Sequence, residues 1–249
     1  MATADIKEID YDQIVAKASN IAKKADQMQK AVQLAFKEIN QMRENWFGLS
    51  YDNFINTVNK TIKDLNKLFE TTVSDIPHEI AAKAKSYATA NDATISTGLS
   101  EQTAIILQDF IPTNKGTKLR FRETEVRSDQ KQININFQDA QTFAQNARAE
   151  ASSLEDVWKS GAGDTNIQEL KDAFDKVIKI LEGLAKSLDN FIEAQAGRIN
   201  RREALINTVE STKDVVANAI DAAQDEVQSA VNKMKQDAAQ SWKNELGRN

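Results

Sequence analysis

The chain contains no cysteine and a single histidine, His78. The first absence rules out a disulfide framework, a thiolate nucleophile, a zinc ribbon and an iron–sulfur site. The second leaves a Ser/His/Asp triad barely attainable and excludes any site needing two imidazoles within one chain. Helix breakers are scarce too: eight glycines and two prolines among 249 residues. That is far too few turn residues for a sandwich of short strands. No long apolar run is present; Ala104-Ile105-Ile106-Leu107 is the longest, against the ~20 residues that span a bilayer. Residues 1–10 lack a basic segment followed by an apolar one, so no ordinary signal peptide is expected. Basic residues do not predominate: 32 Lys and Arg against 37 Asp and Glu give a net charge of −5. A general nucleic-acid binder needs the opposite sign to neutralise phosphates.

What remains is a chain rich in long helical patterns. With 41% hydrophobic and 28% charged residues it is too apolar to be disordered. In the first segment, Ile14, Ala18, Ile21, Ala25, Met28, Val32, Ala35, Ile39, Met42 and Trp46 follow one another in alternating steps of four and three. That seven-residue repeat places a narrow apolar seam on one side of a helix. Trp46-Phe47-Gly48 should end it, with Gly48 providing the backbone freedom of a tight turn. Ser50 is placed to cap a second helix. Its seam runs Tyr51, Ile55, Val58, Ile62, Leu65, Phe69, Val73, Ile76, Ile80, Ala84 and Tyr87. Consecutive steps of four near Val73 make this seam drift, and Pro77 removes a backbone donor there, so a kink or short break is expected. Two long helices joined by so short a turn must lie antiparallel, since neither seam can be buried alone.

Residues 96–136 differ in texture. Gly98, Pro112 and Gly116 bracket a short apolar helix candidate, Glu101 to Phe110. Alternation follows at Leu119 and Phe121 and again at Ile133, Ile135 and Phe137, with Arg127-Ser128-Asp129-Gln130 between them. A small β-hairpin or an extended linker would both fit. From Asp139 the helical pattern resumes through Phe143, Ala147, Ala151, Leu154 and Trp158, and breaks at residues 159–164. It returns through Ile167, Leu170, Phe174, Val177, Leu181, Leu184, Leu188 and Phe191. Past Gly197 a weaker seam recurs from Ile206 to Met234. The expected fold is all-α, two long antiparallel helical hairpins forming an elongated four-helix-type bundle with an extra C-terminal helix. The expected divisions are 1–97 for the first hairpin, 98–136 for the connection, and 137–249 for the second hairpin with its extension. Each hairpin turns just after a tryptophan, which reads as an internal duplication.

A helix of about forty residues, then Trp46-x-Gly48, then a second long helix carrying Phe54 eight residues past the tryptophan, resembles the WXG family. These are the early-secreted-antigen-like helical hairpins exported by type VII secretion systems of Gram-positive bacteria and mycobacteria. The resemblance covers residues 5–95. Family members commonly carry Tyr-x-x-x-Asp/Glu after the second helix as an export signal. Here Tyr87 is followed by Asn91 at the matching place and by Asp92 one residue later. Residues 139–195 look like a degraded copy: Trp158 and Gly161 are separated by one residue too many, and Phe174 lies sixteen residues on. The family usually pairs hairpins as dimers, so two in one chain imply a monomer that builds an internal pseudo-dimer. The resemblance further implies a secreted or cell-surface, non-enzymatic protein without a cleavable signal peptide. Its partners would be the secretion ATPase or another helical secreted protein, with the Trp turn serving as a recognition surface.

No catalytic, cofactor-binding or metal-ligating residue is expected. His78 reads as solvent-facing. Lys118, Arg120, Arg122, Arg127 and Lys131 are interleaved with Glu123, Glu125 and Asp129, as on a solvated face rather than a nucleic-acid patch. Arg198, Arg201 and Arg202 read as helix-end cations. Two alternative readings are a membrane-acting amphipathic bundle and a cytosolic coiled-coil scaffold. The narrow seams suit helix partners better than lipid.

Overall fold

The computed structural model describes residues 10–113, 119–158 and 165–205. The chain divides into a compact unit of residues 1–195 and a second of residues 196–249. The first is an all-α bundle. Helix α1 (Tyr11–Met42) begins at Asp10, whose carboxylate accepts from the Gln13 N–H at 3.0 Å. After a two-residue strand β1 (Trp46–Phe47), α2 (Leu49–Phe69) runs back, and the chain continues through a π-helical segment (Glu70–Asp75) into α3 (Ile76–Ala90). A second two-residue strand β2 (Arg120–Phe121) leads into α4 (Glu123–Val157), and residues 165–195 form α5.

Contacts at the two ends fix the directions. Asn91 reaches Tyr11, so α2–α3 is antiparallel to α1. Asn45 bonds Asp129 while Lys17 bonds Ser153, so α4 is antiparallel to α1. Lys83 meets Asn166 and Phe54 meets Phe191, so α5 is antiparallel to α2–α3. The α4–α5 hairpin therefore starts beside the Trp46 turn, at the end opposite to where α3 finishes. Residues 93–113 cross that length as an extended strap.

The α1 seam is buried at all ten positions from Ile14 to Trp46. The α2–α3 seam is buried from Tyr51 to Ala84 but not at Tyr87, and Phe54, Ala81 and Ala88 join it. Around Pro77 the expected kink or break takes another form. The helix widens to the π register, in which the Ile76 N–H donates to the Thr71 carbonyl five residues back. One extra residue in a turn lets Leu65, Phe69 and Val73, spaced by fours, stay in line with the core. Pro77 then falls in the first turn of α3, where its missing N–H costs least. His78 is exposed, and its Nδ1 donates to the Ser74 carbonyl at 2.6 Å.

Two expectations for the middle of the chain are overturned. Residues 101–110 are not helical: the Ile105, Leu107 and Phe110 N–H groups donate to side chains of α1 and α2 rather than to carbonyls of their own segment. A ten-residue helix is marginal by itself, so such tertiary bonds decide. The strand pair exists, but β2 pairs antiparallel with β1, Trp46 opposite Phe121 and Phe47 opposite Arg120. Residues 133–137 belong instead to α4, which begins fourteen residues before the proposed 136/137 division. Ile133 and Phe137 sit four apart on a buried stripe that runs Val126, Ile133, Phe137, Ala140, Ala144, Ala147, Ala151, Leu154 and Trp158, while Ile135 points outward. Their alternation was part of a heptad. Phe143 is only partly buried, displaced by Ala144. In α5 the expected stripe is buried from Ile167 to Leu188, with Ile192 rather than Phe191 fully enclosed. Residues 196–205 are helical, and Arg201 Nε donates to the Gly197 carbonyl at 3.1 Å. The seam proposed for 206–234 lies outside the described residues.

Candidate functional site

The Trp46 turn is built from short-range bonds. Glu44 and Asn45 N–H groups close the end of α1 on the Gln41 and Met42 carbonyls, and the Arg122 N–H donates to the Asn45 carbonyl at 3.0 Å. Gly48 has φ 116° and ψ −173°, a region open essentially only to glycine. Its carbonyl accepts the Asp52 N–H at 3.0 Å, starting α2. Phe54 stacks on the Trp46 indole, with centroids 6.2 Å apart and planes 12° from parallel, and Tyr51 and Phe121 meet it edge-on. Phe54 also touches Phe191 of α5 at 6.1 Å. Trp46, Gly48 and Phe54 thus lie together at one turn, and the indole is fully buried. Its Nε1–H has no hydrogen-bond partner among the described residues. The Tyr51 hydroxyl beside it donates to the Ile39 carbonyl at 2.9 Å, and burial pushes its ionisation well above the ordinary phenol range.

The opposite end gathers the remaining motif residues. Trp158 caps α4, its N–H donating to the Leu154 carbonyl at 2.8 Å, and its buried ring lies edge-on to Tyr87, 6.5 Å between centroids at 82°. Tyr87 is 42% exposed. Helix α3 closes in a Schellman arrangement: Ala93 N–H to Ala88 carbonyl and Asp92 N–H to Thr89 carbonyl. Asp92 occupies the left-handed position (φ 54°), a place usually given to glycine. Asn91 is spent internally, its Nδ2 donating to the Tyr87 carbonyl at 2.8 Å and to the Tyr11 hydroxyl at 3.1 Å. Of the two candidate acidic-position residues, only Asp92 presents a carboxylate. Gly161 lies outside the described residues.

Sequence reasoning missed two contributors. Tyr11 ties the start of α1 to this end. Buried Asn166 accepts from Lys83 Nζ at 3.0 Å and donates to Glu79 at 3.1 Å, joining α5 to α3. Neither has a local sequence signature, because each acts only through tertiary neighbours. Elsewhere two basic residues of the connection are engaged: Arg127 bonds Glu123 and Glu193, which holds the Glu193 carboxyl below its usual range, and Arg120 lies over Phe47. Among the described residues no cluster of His, Asp or Glu could hold a metal ion, and no helix is long and apolar enough to cross a membrane. No family model, curated protein or solved structure matches the chain.

Proposed function

We propose that the chain is a non-enzymatic protein of the WXG type, exported as a substrate or partner of a type VII secretion system and acting through helix–helix protein interactions. The supporting observation is the juxtaposition of Tyr87 with Trp158. On this reading, the tyrosine proposed for the export signal of the first hairpin packs on the tryptophan proposed for the turn of the second, within one chain. Five residues past Tyr87 in the chain, Asp92 offers the carboxylate that the resemblance calls for, held on a left-handed residue. Strain at such a place is worth keeping where the side chain is read by a partner.

The test is export of the tagged full chain from a Gram-positive host with and without its secretion ATPase. Accumulation in the medium that depends on the ATPase is expected; equal amounts with and without it would refute the reading. Asp92→Gly sharpens the test. It relieves an αL strain of about 1 kcal/mol, so the variant should be at least as stable as wild type, yet it should be exported less. Wild-type export of that variant would remove Asp92 from the signal.

A further inference from the structure

The strap is held in an unusual way. Among the described residues, 94–113 make no main-chain to main-chain hydrogen bond. Side chains of α1 and α2 grip the strap backbone instead. Asp12 Oδ1 accepts from the N–H groups of Ser96 (2.9 Å) and Thr97 (2.7 Å), and Ser19 Oγ from that of Ser100 (3.0 Å). Gln29 takes both polarities, accepting from Ile105 N–H at 2.8 Å and donating to the Thr103 carbonyl at 2.8 Å, and is itself steadied by Asp26. Asn66 brackets Leu107 through its N–H (2.8 Å) and carbonyl (3.0 Å), and Asn59 brackets Phe110 likewise at 2.9 and 2.8 Å. Asp52 accepts from Thr113 N–H at 2.7 Å.

The spacing has a physical basis. Asp52, Asn59 and Asn66 are seven apart on α2, a rise of ~10.5 Å per step at ~1.5 Å per residue. Their targets Thr113, Phe110 and Leu107 are three apart, ~10 Å per step on a chain extended at ~3.3 Å per residue. Asp12 and Ser19 on α1 repeat the match with Thr97 and Ser100. A polar heptad on a helix is therefore commensurate with a three-residue step of extended polypeptide, and it reads N–H and C=O groups that every non-proline residue carries. Side chains also anchor it: Leu107 is buried in the groove, and Ile95, Leu99, Ala104, Ile105 and Phe110 pack against the core, the last 5.4 Å from Phe36. The strap fits loosely otherwise: Ile106 is 67% and Ile111 80% exposed, and about 490 Å³ stays open between residues 106–111 and the α1 face bearing Phe36 and Lys37.

We propose that the α1–α2 groove is a binding site for extended polypeptide, that the strap is its resident occupant, and that an extended segment of a second protein exchanges for it. The incoming segment would carry apolar residues at the spacing of Ile105, Leu107 and Phe110. A linker needs only to connect α3 to α4; it does not need paired donor–acceptor amides on its backbone at matched period. This inference is independent of the export reading.

The probe is a fluorescent peptide of residues 99–113, titrated against the full chain by anisotropy. In wild type the tethered strap competes at an effective concentration on the order of millimolar, so binding is weak. Leu107→Asp with Phe110→Asp loosens the strap but leaves the clamps, and should tighten the apparent Kd at least tenfold. Adding Asn59→Ala and Asn66→Ala should reverse that gain at least tenfold. A loosened variant with native helicity that does not bind, or binds equally without the two asparagines, overturns the proposal. Hydrogen exchange on wild type covers the case in which the loosened variant does not fold. The amides of Ile105, Leu107, Phe110 and Thr113 should open at least tenfold more readily than those of Ile21 and Val32. Protection equal to the core would mean the strap never leaves, and the proposal fails while export is untouched.

Discussion

Two glycines in this bundle should respond to the same substitution with opposite signs. Gly48 joins β1 to α2 at φ 116° and ψ −173°, where a Cβ is strained whatever its surroundings. Holding a non-glycine residue there costs on the order of 1–3 kcal/mol. The gain from a less flexible unfolded chain returns only about 0.4–1 kcal/mol. Gly48→Ala should therefore destabilise by about 1–2 kcal/mol. Gly183 lies exposed within α5, and a Cβ built on it meets nothing within 4 Å. In a helix interior alanine is preferred over glycine by roughly 0.5–1 kcal/mol, so Gly183→Ala should stabilise by that amount. For a unit of this size the two variants should melt several degrees apart, at roughly 2–4 °C per kcal/mol. Denaturant unfolding followed by far-ultraviolet circular dichroism measures both, with an unchanged m-value as the sign that only stability moved. If Gly48→Ala unfolds at or above the wild-type midpoint while Gly183→Ala behaves as stated, the left-handed turn after Trp46 is wrong, and the hairpin argument with it.

Trp46→Ala should cost about 3–5 kcal/mol as a large-to-small change in a packed core. Trp46→Phe should cost far less, because it also removes an N–H buried without a partner among the described residues, worth about 1–3 kcal/mol of desolvation; equal losses in the two variants would place a hydrogen bond on Nε1. Acid should release the start of the strap. The Thr97 and then the Ser96 N–H groups hold the Asp12 carboxyl below its ordinary 3.8. A depressed folded-state value means the stabilisation is fully present above the unfolded value and disappears as pH falls below 3.8 through the lowered one. Amide shifts of Ser96 and Thr97 should move toward random coil in that window, and Asp12→Asn should abolish the transition; a transition unaltered in Asp12→Asn would assign it elsewhere.

The heptads of α1, α2 and α5 were legible in the sequence because a seam facing other helices imposes its period on ten or so positions at once. The Trp46 turn was legible for a similar reason: an apolar seam stopped at a tryptophan and a glycine. The strap was not. Ala104 to Phe110 carries no glycine or proline and enough apolar residues to pass for a helix; its extended form comes from Gln29, Asn59 and Asn66, which are distant in sequence. Those three residues, together with Asp12, Ser19 and Asp52, lie off the apolar seams, where polar residues at heptad spacing carry no signal of a tertiary backbone partner. The same blindness hid Tyr11 and Asn166 at the Tyr87 end. The hairpin proposed across 119–137 failed on a different ambiguity: three alternating apolar residues cannot tell a strand from part of a helical stripe. The stripe continuing from Phe137 to Trp158 was the signal that could have decided it.

The length of the connection selects how the two hairpins meet. Because α4 starts where α1 ended, the Trp46 turn lies against the open end of the second hairpin, at Phe121 and Phe191, and the Trp158 end lies against the open end of the first, at Tyr87. Reaching that arrangement requires the chain to travel the length of α1, 32 residues, or ~48 Å at ~1.5 Å per residue. An extended chain covers at most ~3.5 Å per residue, so about 14 residues are the minimum. Replacing residues 93–119 by a Gly/Ser segment of equal length should let the second hairpin reach its own first hairpin and give a monomer, less stable for the lost clamps. Replacing them by eight residues spans no more than ~28 Å. The second hairpin then cannot reach its own first hairpin in this orientation, and reaches that of another chain instead. Light scattering should report dimers or larger assemblies for the eight-residue version and monomers for the long one. A monomeric eight-residue version that retained the Tyr87–Trp158 contact would show that the connection does not need to span the length of α1, and would refute the reasoning.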